Sequence, residues 1–100
     1  MSTDLQTHTQ NTHKLDVPAQ YSVVLLNDDF TPMEFVVAVL MQVFRLPASK
    51  AEEVMWTVHQ AGRGVVGTYS REVAETKVFA TKKMAEQEGH PFLCVVERTV

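Results

Sequence analysis

An apolar run, Tyr21 to Leu26, stops at Asn27-Asp28-Asp29, and a proline-led apolar segment follows almost at once. This stretch, Asn27 to Val37, constrains the fold more than any other. The chain must leave a strand, turn, and start a helix within a few residues. Short polar side chains bond their own backbone and favour such a turn. Thr31-Pro32-Met33-Glu34 then reads as a capping box. Thr31 is the expected N-cap, Pro32 takes the first helical position, and Glu34 reaches back to the cap. Two carboxylates and an amide are thereby expected near the positive end of a helix. Met33 projects from the first turn beside them. Asp28 and Asp29 are acceptor-only when ionised, while Asn27 both accepts and donates. The group suits a ligand with a cationic head and an apolar body. Plain turn chemistry, common before helices, is the simpler reading of this stretch, and the residues alone leave both open.

The remaining elements follow from periodicity. The run Val23-Val24-Leu25-Leu26 predicts a strand buried on both faces or nearly so. A first helix is expected over Pro32 to Phe44, with Val36, Val39, Leu40 and Val43 toward the core. Arg45-Leu46-Pro47 ends it. A second helix starts near Pro47 to Ser49, either at Pro47 or through a second capping box of Ser49 and Glu52. Ala51, Val54, Met55 and Val58 make its buried stripe, and His59 lies on the side of Met55. Gly62 and Gly64 are expected to end it. Val65 to Tyr69 predicts a short strand. Ser70 caps a third helix that runs to about Glu88, with Glu72 and Glu75 at its positive end. Gly89-His90-Pro91 stops it, and Phe92 to Glu97 is the last strand. The order β-α-α-β-α-β predicts an α+β fold: a three-stranded antiparallel sheet packed against three helices.

Composition narrows the class. One hundred residues predict one domain. Residues 1–19 read as a flexible N-terminal tail, because Thr, Gln, Asn and His dominate there without periodicity. The folded domain is then expected over 20–100. His8 and His13 match no structural metal spacing, and no metal or cofactor is expected. A net charge of −3 argues against a dedicated nucleic-acid binder. No run approaches the length of a membrane span. The lone cysteine, Cys94, cannot form an internal disulfide and reads as a small buried hydrophobe. A cytoplasmic location is the resulting expectation.

No zinc-protease, phosphate-loop or cysteine-cluster motif is present in the sequence. Asp28, Asp29 and His59 could supply an acid–base set, but nothing marks a nucleophile, so an enzyme is not expected. By spacing alone His59 fits a rim residue as well as a site. Met33, Met55 and Val58 fit a core as well as a pocket. Trp56, one residue off the Met55 stripe, is expected at the surface.

The segment Asn27-Asp28-Asp29-Phe30-Thr31-Pro32-Met33-Glu34-Phe35-Val36 closely resembles the signature of the ClpS family. The likeness continues through Val58-His59, Val73-Ala74-Glu75-Thr76-Lys77 and His90-Pro91-Phe92-Leu93-Cys94. It covers about Tyr21 to Glu97. The resemblance implies a non-enzymatic adaptor of the Clp AAA+ protease. Such an adaptor takes proteins whose first residue is Leu, Phe, Tyr or Trp and delivers these N-degron substrates to a ClpA-type unfoldase. It implies that Asn27, Asp28, Asp29 and His59 surround the substrate α-amine. Thr31, Met33, Val36, Met55, Val58 and Phe92 correspond to the side-chain pocket, with Met33 as a gate against β-branched residues. Glu72 and Lys77 correspond to a docking surface for the unfoldase N-terminal domain. The tail corresponds to a segment that enters the unfoldase pore. The implied fold resembles the C-terminal domain of the ribosomal stalk protein. Phe92 departs from the family's frequent Leu, which implies a reshaped pocket.

These residue types suit that task. An α-ammonium offers three donors and is mostly charged at neutral pH. Asn27 supplies an amide oxygen, the aspartates supply charge, and a neutral His59 supplies a ring nitrogen. Asn27 and Asp29 share a side if extended geometry persists into the turn, which favours Asp29 over Asp28 for the amine. Two other readings remain: a docking module that inhibits or redirects other substrates, and a small acid–base enzyme using Asp29 and His59.

Overall fold

A computed structural model describes residues 18–99. The expected tail, with His8 and His13, falls outside these residues apart from its last two positions. The elements are β1 (Tyr21–Leu26), α1 (Met33–Gln42), α2 (Ala48–Ala61), β2 (Arg63–Tyr69), α3 (Arg71–Glu88) and β3 (Leu93–Arg98). The three strands form one antiparallel sheet in the order β2-β1-β3, so the most apolar strand takes the centre.

Alternation along β1 explains its continuous apolar run. Val23 and Leu25 join the core formed with the helices. Val24 is also fully buried but lies outside that core cluster, so it points to the opposite face, flanked by its partners Val65 and Val95. The helices contribute their stripes as the periodicity requires. Val36, Val39 and Leu40 of α1 are buried, as are Ala51, Val54, Met55 and Val58 of α2. Phe35 and Phe44 are buried as well, which the stripe alone did not include.

The element ends differ from expectation in ways that matter for the site. Thr31 is not a helix cap. Pro32 takes that place, and α1 has no side-chain cap. Pro47 likewise begins α2, without a Ser49 and Glu52 box. The first helix ends at Gln42 rather than Phe44. Arg45 turns left-handed with φ 60°, and the Leu46 N–H donates to the Leu40 carbonyl at 3.1 Å. Ser70 does cap α3, its hydroxyl accepting from the Val73 N–H at 3.3 Å. The strands β2 and β3 are shifted by one or two residues at their ends relative to the periodic runs.

The two glycines after α2 have different tasks. Gly62 is left-handed with φ 89° and closes the helix, its N–H donating to the Val58 carbonyl at 2.9 Å. Gly64 does not stop the helix but lies buried within β2, paired to Leu25. A Cβ there would stand 2.8 Å from Val58 Cγ2. Val58 is β-branched and stiff in a helix, so it cannot yield cheaply. Gly64 thus lets α2 lie close on the sheet. Gly64→Ala should lower stability by about 1–3 kcal/mol, as overpacking does. A urea denaturation midpoint equal to wild type would contradict this close approach.

Candidate functional site

The antiparallel pairing of β1 with β2 sets Leu26 opposite Arg63. The next residue of each segment therefore meets the other. The Asn27 N–H donates to the Gly62 carbonyl at 2.9 Å. This bond fastens the turn after β1 to the C-terminal end of α2, where Val58 and His59 stand. A cavity of about 220 Å³ lies at this junction. Asn27, Asp28, Asp29 and His59 form its polar part, and Thr31, Met33, Val36, Met55 and Val58 its remaining wall.

The two aspartates differ in their surroundings. Asp28 is folded back on its own loop. Its Oδ1 accepts from the Phe30 and Thr31 N–H groups, each at 2.8 Å, and its Oδ2 accepts from the Thr31 hydroxyl at 2.8 Å. The Thr31 side chain is thereby occupied with Asp28 instead of capping α1. The spacing Asp-x-x-Thr could have signalled this arrangement, which is a side-chain-built turn. Asp29 is exposed, and its carboxylate has no hydrogen bond or ion pair among the described residues. The side chains of Asn27 and His59 are likewise exposed and free of hydrogen bonds to the described residues. Three acceptors therefore stand open at one rim. On the apolar side, Met55 and Val58 are buried, while Met33 is 36% exposed.

Phe92 is placed elsewhere. It is buried against Phe35, ring edge to ring face, with centroids 6.1 Å apart. It lines a separate groove with Cys94 along α3, because it precedes β3 and its ring turns into the core. Phe92 is thus not among the residues that line the cavity beside Asn27 and His59. Burial pushes the Cys94 thiol up to about 12, so it stays protonated and inert near neutral pH. No helix among the described residues is long and apolar enough to cross a membrane, and no cluster of three metal-ligating side chains occurs among them.

Glu72 and Lys77 lie apart from the cavity, in a shallow groove on α3 with Val73 and Thr76. Glu72 is exposed. Lys77 is half-buried: its Nζ donates to the Val43 carbonyl at 2.9 Å and lies 5.6 Å from the Phe44 and Tyr69 ring centroids. It thus satisfies a carbonyl at the end of α1, where a cation is also favoured.

Comparison with known proteins places this geometry in a family. The profile described as "ATP-dependent Clp protease adaptor protein ClpS" matches residues 16–95. The chain belongs to the ClpS family. ClpS adapter proteins of Cupriavidus metallidurans and Burkholderia cenocepacia are each 52% identical over 84 residues. Those matches cover 84% of this chain and 78% and 81% of the two relatives. A structure of Agrobacterium tumefaciens ClpS2 bound to L-phenylalaninamide superposes with a TM-score of 0.80 at 40% identity, covering 82% of this chain and 99% of that one. ClpS proteins are adaptors that work with the Clp protease and are not proteases themselves.

The Asp28 carboxyl gives a pH test of the loop. Burial alone would push it up. The Phe30 N–H, the Thr31 hydroxyl and the Thr31 N–H outweigh that, aided by the charge of His90, and hold it below its ordinary 3.8. A carboxyl depressed by folding contributes stability above its unfolded pKa and loses it as pH falls through the folded one. Asp28→Ala should therefore cost about 0.5–2 kcal/mol at neutral pH, as loss of a capping acceptor does. It should also lose less than wild type on acidification below 3.8. Parallel acid limbs for the two proteins would contradict this role.

Proposed function

We propose that this chain binds proteins through a hydrophobic N-terminal residue and delivers them to the ClpA-type unfoldase of the Clp protease. One observation carries the reading: three polar side chains without hydrogen bonds or ion pairs among the described residues meet an apolar cavity at a single rim. A free N-terminal residue has the matching form, an ammonium beside a side chain. L-Phenylalaninamide, the ligand held by Agrobacterium tumefaciens ClpS2, has the same two parts.

In this reading Asn27, Asp29 and His59 take the ammonium. Asp28 is committed to the loop and acts by holding Asp29 and Thr31 in place. Charge-assisted hydrogen bonds replace the water lost by the amine. The side chain enters between Met33, Val36, Met55 and Val58, where burial of a Leu- or Phe-sized group contributes roughly 1.5–3 kcal/mol. Selection against Ile and Val needs a clash, because a methylene difference is worth only about 1–3 kcal/mol. In this reading Met33, a partly exposed wall residue, crowds a branched β-carbon.

Wild type should bind a Phe-started peptide and reject an Ile-started one. Met33→Ala should admit Ile- and Val-started peptides. Unchanged rejection of both would refute the gate, and failure of wild type to bind the Phe-started peptide would refute the reading as a whole.

The groove at Glu72 is the proposed contact with the N-terminal domain of the unfoldase. Lys77 is a poor probe of it, because its ammonium also supports the end of α1. Glu72→Ala is the cleaner test, since its carboxylate makes no hydrogen bond or ion pair among the described residues. It should reduce capture by the isolated unfoldase domain while sparing peptide binding. Full capture by the variant would move the docking surface elsewhere.

A further inference from the structure

His59 is exposed at the cavity rim, and its imidazole makes no hydrogen bond or ion pair among the described residues. Its one ring contact there is Trp56. The two rings meet edge to face, with centroids 5.8 Å apart and planes at 78°. Residues three apart on a helix lie one turn apart on one side, so α2 itself sets this contact. Trp56 does not belong to the core. It is 46% exposed and lines no part of the cavity. A large aromatic ring thus stands in water against a side chain that lines the site. Edge-to-face pairing favours one mutual orientation beyond what apolar burial provides.

We propose that Trp56 is a positioning residue: it holds the His59 imidazole in the rotamer that presents a ring nitrogen to the substrate α-amine. The inference rests on the amine-reading role given to His59 above. An exposed imidazole without this contact exchanges freely among rotamers. It must then be ordered when the peptide binds, and that ordering weakens affinity by about 2- to 10-fold. Trp56 supplies the order beforehand. Met55, one residue earlier, faces the cavity and is buried, so the helix presents a wall residue and a positioning residue side by side.

Two measurements test the proposal. Trp56 is the chain's one tryptophan, so its ring current acts on its neighbours without interference from a second indole. In the free protein, the carbon-bound ring protons of His59 should carry a ring-current shift in NMR spectra that Trp56→Ala abolishes. Unchanged His59 shifts would overturn the proposal without reference to any ligand. The second measurement is a double-mutant cycle with a Phe-started, free-amine peptide. Trp56→Ala and Trp56→Leu should each weaken binding about 2- to 10-fold, whereas Trp56→Phe should restore most of it. In a His59→Ala background, Trp56→Ala should cause no further loss. An equal loss in both backgrounds would overturn the positioning role, since Trp56 would then act on the peptide or the fold directly. Unchanged affinity in Trp56→Ala would overturn it too. If wild type bound no free-amine peptide, the amine-reading function would fall together with the task assigned to Trp56. The NMR shift would still decide whether the contact orders the ring.

Discussion

One backbone hydrogen bond, from the Asn27 N–H to the Gly62 carbonyl at 2.9 Å, joins the two segments that make the site. It extends the β1–β2 ladder by one step beyond Leu26 and Arg63. Its acceptor sits on a residue that must be left-handed to close α2, with φ 89°. A side chain at Gly62 would strain that conformation, and a side chain at Gly64 would push Val58 outward. The turn after β1 and the last turn of α2 are therefore held together by backbone geometry. The side chains that face the cavity remain free for other work.

That separation is sharpest at the adjacent aspartates. Asp28 gives both its oxygens to the loop, so the loop is rigid without any cap on α1. Asp29 gives none, so its charge is available at the rim. A ligand that loses water from an ammonium must recover equivalent bonds, because an unpaired buried charge costs more than one apolar side chain contributes. Neither half of the site is adequate alone. The acceptors by themselves would compete poorly with water, and the apolar cavity by itself would accept any greasy group. Together they suit the ligand proposed for them, a free N-terminus with a hydrophobic first side chain.

Much of the fold was legible in the sequence, for reasons that are local. β1 is a dense apolar run, α2 shows its stripe at Ala51, Val54, Met55 and Val58, and Ser70 caps α3. The ends were less legible where one side chain had two partners to choose from. Thr31 could cap α1 or bond Asp28, and propensity cannot weigh a 2.8 Å bond that depends on the loop's final shape. Gly62 and Gly64 look alike as helix stops, yet only the pairing of β2 with β1 shows that Gly64 is a packing residue. The site was legible in part. The Asn27–Val36 stretch announced its chemistry, but no spacing says that Met55 and His59 meet it across the sheet end. The family resemblance supplied that link, and it also named Phe92, whose ring packs against Phe35 outside the cavity's lining.

The account's central claim is that the cavity reads an amine and a side chain together. The most direct measurement is a fluorescence-anisotropy titration of one Phe-started peptide in two forms, with a free α-amine and with that amine acetylated. Acetylation removes the charge and the donors but leaves the phenyl ring. The account predicts binding of the free form and loss of binding by the acetylated one. Equal binding of the two would contradict it, because the open acceptors of Asn27, Asp29 and His59 would then have no part in recognition.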